Sequence, residues 1–344
     1  MTKVLMLLMG VGNVGRRFLH VLDLKRESLR HRMGLELQLV GVADRSGFAV
    51  CAEGLDIQRI LALKTGGRGV STDPEWGRPG ASTLEMVQQT DADLFLEASP
   101  SHMQDGQPGL ACIETALSKG MHVVTADKIP LVLAFPRLLA LAQAHGVQLR
   151  FDATVAGGLP AINLGQRDLA AVEILRLEGV LNLTTNYILT RMADDGLSYD
   201  QALAQAQASG HAEADPSLDV EGWDAANKLV ILAHSVLGYP ATLHDVEVEG
   251  ITGITPAMLA AGVAKGKRLK LLATAEREKG HYRLSVRPTW LEASHPMAQL
   301  GATQFGVVYY TDVCGVVSAA IVEETPLPTA AAMLRDVVSI YTDS

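Results

Sequence analysis

The run Gly10-Val11-Gly12-Asn13-Val14-Gly15 constrains this chain more than any other feature, because of what flanks it. Before it, Lys3–Met9 is apolar without alternation, as a strand covered on both faces of a parallel sheet would read. After it, Val14–Leu24 has apolar residues at helical spacing. Glycine at the first position allows a tight turn, at the second lets backbone approach a pyrophosphate, and at the third lets helix pack on strand. The helix N-terminus adds amide donors and positive potential. The segment therefore reads as a dinucleotide loop using Gly10, Val11, Gly12, Asn13, Val14 and Gly15. Asp44, at the end of a second strand over Leu37–Ala43, stands where an acid would hold the ribose 2′-hydroxyl of NAD. Its neighbour Arg45 would instead pair with the 2′-phosphate of NADP, and both choices stay open.

Up to Asp152 the chain keeps alternating strands (Leu94–Glu97, His122–Thr125, Leu149–Asp152) with helices (Leu110–Lys119, Arg137–His145) that stop at Gly120 and Gly146. Glycine-rich Lys64–Ala81 reads as loop. Beyond Asp152 three helices come first, including Tyr199–Ser209 with Ser198 and Gln201 in capping-box spacing, and Glu221–Leu237. Strands follow at Leu269–Arg277, Tyr282–Arg287, Val307–Val313 and Val316–Val322, then a helix from Pro328-Thr329 to about Tyr341. The expected fold class is α/β, with a Rossmann-type doubly wound parallel sheet over 1–152 and an α+β substrate and dimerisation domain over 153–326. The remaining segment, 327–344, is expected to pack as a helix on the nucleotide domain.

Composition narrows the partners. The 344 residues hold 29 basic against 38 acidic side chains, a formal charge of −9, with no basic block able to track a phosphate backbone. Nucleic acid and anionic membrane are disfavoured, and no stretch approaches the ~18 apolar residues that a membrane span needs. Cys51, Cys112 and Cys314 form neither a Cys-x-x-Cys pair nor a zinc pattern, which suits a cytoplasmic protein.

Two further loops follow strands that end on the ligand-binding edge: Glu97-Ala98-Ser99-Pro100-Ser101 and Thr125-Ala126-Asp127-Lys128, whose lysine is placed to reach phosphate, nicotinamide or substrate. The densest chemistry lies between Gly210 and Lys228, where Glu213, Asp215 and Asp219 precede Asp224 and Lys228. The last two are four apart on a helix, opposite the stripe of Ala226, Leu229 and Ala233. Position alone favours a surface ion pair of little energetic weight; the acids of the preceding loop suit instead the ammonium of an amino-acid substrate.

These residues resemble the homoserine dehydrogenase family, in its short form without a C-terminal regulatory domain. The likeness runs through Thr184-Thr185-Asn186-Tyr187-Ile188-Leu189 and from Gly210 to Lys228. It is supported by the Gly10–Gly15 loop, Thr125–Lys128, Asp152–Pro160, His295-Pro296 and Pro328-Thr329-Ala330. The resemblance implies hydride transfer between NAD or NADP and a small molecule, interconverting L-homoserine and L-aspartate 4-semialdehyde in a cytoplasmic homodimer. It implies Lys228 as acid/base with Lys128 at the reacting centre, Glu213 on the substrate ammonium, Asp219 and Asp224 orienting substrate and lysine, and Ser99 on the cofactor. It also implies a monovalent cation, sodium or potassium, on backbone carbonyls around Asp152, Val155, Gly157 and Leu159. Departures from the family are Asp127 for Asn, Asp152 for Glu, Leu183 for Gly and His211 for Tyr; Ile321–Pro326 replaces a glycine-rich cofactor loop. Asp127 is expected to hold Lys128 protonated by its charge. A dehydrogenase of another small amino or hydroxy acid, and an idle dinucleotide-binding sensor, are the alternatives.

Overall fold

The computed structural model describes residues 1–342; 343 and 344, the end of the expected C-terminal segment, lie outside the described residues. The chain divides into two compact units, Met1–Thr154 with Thr325–Ser344, and Val155–Glu324.

The first unit is built on a seven-stranded sheet. In chain order its strands are β1 (Thr2–Met9), β2 (Leu35–Asp44), β3 (Gly47–Val50), β4 (Gly77–Pro79), β5 (Leu94–Glu97), β6 (His122–Thr125) and β7 (Leu149–Arg150), arranged β4-β3-β2-β1-β5-β6-β7. Pairing is parallel from β2 to β7, while β3 and β4 run antiparallel at the edge. Sequence patterning misses both edge strands. β3 is joined to β2 by a two-residue turn, Asp44 pairing Gly47. β4 lies inside the segment expected as loop, ordered by Asp73, which accepts from the Glu75 and Trp76 amides and pairs Arg59 at 2.6 Å.

Helices α1 (Asn13–Ser28), α2 (Ile57–Thr65), α3 (Thr83–Gln89), α4 (Gly109–Ser118) and α5 (Ile129–Ala144) complete this unit with the C-terminal helix Leu327–Thr342. α5 starts well before the expected Arg137, since Pro130 sits in the first turn, where its missing N–H costs nothing. Pro136 inside it forces a kink at Ala134, φ −142°, which hides the first half from a periodicity reading. The expected strand end at Asp152 is corrected: Asp152–Thr154 is a 3₁₀ turn, pinned where the Asp152 amide donates to Asp336 Oδ2 at 2.9 Å and its carboxylate pairs with Arg335. Met333, Val337 and Ile340 of the C-terminal helix join Phe18 and Leu22 of α1 in one apolar cluster with β1. Each such side chain contributes about 1.5–3 kcal/mol when fully buried.

The second unit begins with the single turn α6 (Ala161–Asn163) and strand β8 (Ile174–Val180). Then come α7 (Leu183–Asp195), α8 (Tyr199–Ala208), the single turn α9 (Ser217–Val220), α10 (Trp223–Ser235), β9 (Val246–Val248) and α11 (Pro256–Val263). The last strands are β10 (Lys267–Glu278), β11 (His281–Glu292), β12 (Gln304–Thr311) and β13 (Val316–Val322), in sheet order β13-β12-β8-β10-β11-β9. A strand therefore precedes the helices, contrary to expectation. β8 escapes patterning because it buries an acid: Glu178 is 1% exposed, held by His295 Nε2 and Tyr310 Oη, each at 2.9 Å, and by Arg176. The expected capping box of Ser198 and Gln201 is present.

Candidate active site

In the first unit the glycine loop has the shape that its spacing requires. Gly10 has φ +90°, and a Cβ there would lie 2.6 Å from the Ala98 carbonyl oxygen. A Cβ on Gly15 would lie 1.9 Å from the Gly10 carbonyl, so the turn is closed to any larger residue at either point. Gly12, by contrast, faces open space. With Val11 it opens onto a cleft of about 610 Å³ that also meets Asp44, Arg45 and Ser99. Asn13 and Val14 begin α1, and Arg16 and Arg17 fold back on Gly12 O and Asn13 O at 3.2 and 3.0 Å. An open backbone cradle before a helix N-terminus fits a dinucleotide pyrophosphate.

The adenosine end is more committed than the sequence suggests. Asp44 Oδ2 accepts from Lys64 Nζ at 2.5 Å and the Val70 amide at 3.1 Å, and Oδ1 accepts from Ser46 N and Oγ. Burial pulls this carboxyl upward, but Lys64, Ser46 and the Val70 amide outweigh it and hold it below the ordinary range. Lys64 and Arg68, which sequence reasoning missed, line the cleft with Arg45. Three cations thus line the cleft together with the acid at the end of β2, and Lys64 pairs with it.

Ser99 donates its amide and hydroxyl to Glu97 Oε1 at 2.8 and 2.7 Å. Lys128 is half-buried immediately before α5. Asp127 feels the charge of Lys128, as expected from their adjacency, and is buried as well. Asp127 is 7% exposed, and burial pushes its carboxyl up despite Ser101, the Ile129 amide and Lys128.

The second unit holds a continuous polar chain between α7 and α10. Lys228 Nζ donates to Asp224 Oδ2 at 2.7 Å and to the Leu181 carbonyl at 2.8 Å. Asn182 Nδ2 reaches the same Asp224 oxygen at 2.8 Å and Asp219 Oδ1 at 2.6 Å. Thr184 Oγ1 donates to Asp219 Oδ2 at 2.7 Å. Asp224 is only 8% exposed, so the reading of Asp224 and Lys228 as a surface pair is overturned. α10 is buried on both faces, with Asp224, Ala225, Ala226 and Asn227 all buried, because α9 and strands β9, β10 and β11 pack on it and the Leu181–Asn182 segment bonds its polar side. Burial, then the Asp224 charge, pushes the Asp219 carboxyl up against Thr184, Asn182 and Lys228.

Asn182 is the functional residue that sequence reasoning passed over. Its signal was present: it caps α7 through the Thr185 amide at 2.9 Å, two residues before the resemblance begins. Glu213 stands exposed in the loop after α8, its carbonyl accepting from Gln207 at 3.1 Å. His211 stacks on Tyr187 with centroids 4.9 Å apart, and Leu183 opens α7.

Of the expected cation ligands, Asp152 commits its carboxylate to Arg335. Val155, Gly157 and Leu159 lie in the second unit on a turn with two consecutive positive φ values, Ala156 at 55° and Gly157 at 60°. Glu323, from the segment replacing the family's glycine loop, accepts the Gly158 amide there at 2.8 Å. No helix among the described residues is long and apolar enough to cross a membrane.

Comparison with known proteins agrees with this geometry. Residues 10–152 match the family profile described as homoserine dehydrogenase, NAD binding domain, and residues 160–338 match that of homoserine dehydrogenase. A homoserine dehydrogenase of Methanocaldococcus jannaschii is 36% identical over 97% of this chain and 98% of its own. An NAD(+)-dependent homoserine dehydrogenase of Pseudomonas canavaninivorans is 32% identical over 99% and 97%. A hyperthermophilic archaeal homoserine dehydrogenase solved with NADPH superposes with a TM-score of 0.85 at 26% identity, covering 100% of this chain and 99% of that one.

Proposed function

The chain belongs to the homoserine dehydrogenase family, and from that premise we propose how its own residues interconvert L-homoserine and L-aspartate 4-semialdehyde with NAD or NADP. The Gly10–Gly15 loop holds the dinucleotide pyrophosphate, with Ser99 and Lys128 farther along the same sheet edge. Held there, the dinucleotide would supply the hydride donor or acceptor for the reaction.

Lys228 moves the proton. An ammonium has three donors, and Leu181 O and Asp224 take two, leaving the third for the substrate oxygen. In reduction it protonates the developing alkoxide; in oxidation the same nitrogen takes the proton back. Asp224 fixes that nitrogen, and Asn182 fixes Asp224. Asp219 and Glu213 receive the substrate ammonium from the loop side, a role favoured by the cluster of acids there.

The carrying observation is the buried chain Asp219–Asn182–Asp224–Lys228, whose polar groups a purely nucleotide-binding protein has no need to assemble. The test is reduced-nicotinamide absorbance with L-homoserine. Lys228→Ala loses kcat by about 10²–10⁴-fold while dinucleotide affinity holds, the range for one acid/base group. Wild-type turnover by that variant refutes the assignment.

The exposed valines on and beside edge strand β13, Val313, Val316 and Val322 at 74, 59 and 54% accessibility, support a homodimer joined through this sheet. Sedimentation equilibrium tests that. A monovalent cation on the carbonyls of Val155, Gly157 and Leu159 is an optional addition, tested by the dependence of turnover on potassium or sodium.

A further inference from the structure

Two acids are buried side by side at the carboxyl ends of β5 and β6. Glu97 has no accessible surface and Asp127 is 7% exposed. Glu97 pairs opposite Thr125 in the parallel ladder, and Thr125 links the two acids. Its Oγ1 donates to Glu97 Oε2 at 2.9 Å and accepts the Asp127 amide at 3.0 Å. The remaining Glu97 oxygen is taken by Ser99. Asp127 Oδ1 accepts the Ile129 amide at 3.1 Å, while Oδ2 lies near Ser101 and closes no hydrogen bond of normal geometry.

These acids adjoin the dinucleotide cleft. A Cβ on Gly10 would lie 2.7 Å from the Ser99 amide, the group that also bonds Glu97, so the glycine loop and the acid pair share one wall. Two carboxyls buried at the ends of neighbouring strands pay both a desolvation and a Coulomb cost when both ionise. Burial, then Asp127, pushes the Glu97 carboxyl up to about 8, against Ser99 and Thr125. The other titratable groups facing the pair are few. Lys128 adjoins Asp127, and Cys112 of α4 faces Glu97 with its thiol pushed up to about 12 by burial and then by Glu97, so that it stays neutral. His102, Arg45, Lys64 and Arg68 line the cleft beyond Ser99.

We propose that Glu97 and Asp127 hold one proton between them and that the dinucleotide binds this one-proton form, its pyrophosphate on the adjoining Gly10–Gly15 loop opposing the second ionisation. Above that ionisation, binding takes up one proton from solvent and weakens as pH rises. The inference rests on the dinucleotide reading given above and adds to that site two residues that adjoin the cofactor loop through Ser99, Ala98 and the pairing of Glu97 with Met9.

Titration calorimetry with NADPH, in pairs of buffers differing in ionisation enthalpy, tests it between pH 7 and 9.5. In the wild type, Kd rises at least threefold across that range, with about half a proton or more taken up near its upper end. Glu97→Gln removes the carboxyl that burial and Asp127 push up, so Kd and proton uptake lose their slope above pH 7; Asp127→Asn removes the neighbouring charge while Glu97 stays buried, so the slope shifts to lower pH. A flat wild type, or an Asp127→Asn variant that keeps the wild-type slope, overturns the proposal. The free protein gives a separate reading: the infrared band of a protonated carboxylic acid disappears between pH 7 and 9.5 in the wild type, is missing over that range in Glu97→Gln and disappears at lower pH in Asp127→Asn. Failure of NADPH to bind at every pH overturns the cofactor reading and this proposal with it, and the infrared band then still reports whether the acids share a proton.

Discussion

Replacing Asn182 by Ser tests the polar chain at its least obvious member. The amide is 4% exposed and gives one Nδ2 hydrogen to each of two carboxylates, at 2.6 Å to Asp219 and 2.8 Å to Asp224. Its orientation is fixed, because Oδ1 must accept from the Thr185 amide and hydroxyl at 2.9 and 3.0 Å. Serine keeps the helix cap, among the better residues for it, so the variant removes the carboxylate bonds with little change at the start of α7. Hydrogen bonds to charged acceptors contribute about 1.5–3 kcal/mol each, and water entering the vacated space recovers part, so we take the lower end and expect a loss of about 3 kcal/mol. For a unit of about 170 residues that corresponds to roughly 6–12 °C in Tm by scanning calorimetry. Kcat falls as well, since Asp224 is then held by Lys228 alone among these partners. Asn182→Asp is worse at neutral pH, adding a third carboxylate, and improves relative to Ser as pH drops and Asp219 takes up its proton. A Ser variant melting within about 1 °C of wild type refutes the reasoning, because the two carboxylates would then not depend on the amide.

Other outcomes follow from the same contacts. Lys64→Ala removes one of three cations at the cleft and frees Asp44 Oδ2 for a ribose hydroxyl, so the ratio of kcat/KM for NADP over NAD drops about tenfold or more; an unchanged ratio places the selectivity elsewhere. Arg335→Met leaves the Asp152 carboxylate, 2% exposed, without its cation and costs about 3–5 kcal/mol in urea unfolding; a loss under about 1 would mean that water compensates. Gly157→Ala is strongly destabilising, since φ is +60° and a Cβ would lie 2.0 Å from Glu323 Oε2; a normal melting temperature would show that this turn yields freely. The Glu97 carboxyl has a folded-state pKa near 8, above its ordinary 4.5, so the folded chain binds the proton more tightly and loses stability as pH rises from about 4.5 through 8. Glu97→Gln lacks that loss, and the gap in Tm between it and wild type must widen in its favour over this window.

What could be read from the sequence was local. The left-handed glycines ending helices at Gly120, Gly146 and Gly210, with φ of 79°, 67° and 77°, are dictated by backbone sterics within a few residues. The capping box at Ser198 and the glycine spacing at 10–15 are of the same kind. The hidden elements depend on distant partners. Strand β8 carries Glu178 because His295 and Tyr310, more than a hundred residues away, are there to receive it. α10 looks amphipathic in isolation, and its polar side becomes interior where Leu181 and Asn182 bond it and α9 packs against it. A helical wheel contains no information on what packs against the second face.

Asp127 carries this distinction into chemistry. Beside Lys128 in sequence, it looks like a counter-ion that would hold the lysine charged. In the fold it also acts on Glu97, brought near by the ladder that sets residue 97 opposite 125. A carboxyl that is half of a proton-sharing pair gives less negative charge to its neighbour than a free carboxylate, and gives it in a pH-dependent amount. Lys128 then experiences a field set by two acids on adjacent strands, only one of which adjoins it in sequence. Substituting the distant one, Glu97→Gln, therefore changes the pH dependence of any step that uses Lys128, whereas a simple Asp127–Lys128 counter-ion pair requires that profile to stay where it was.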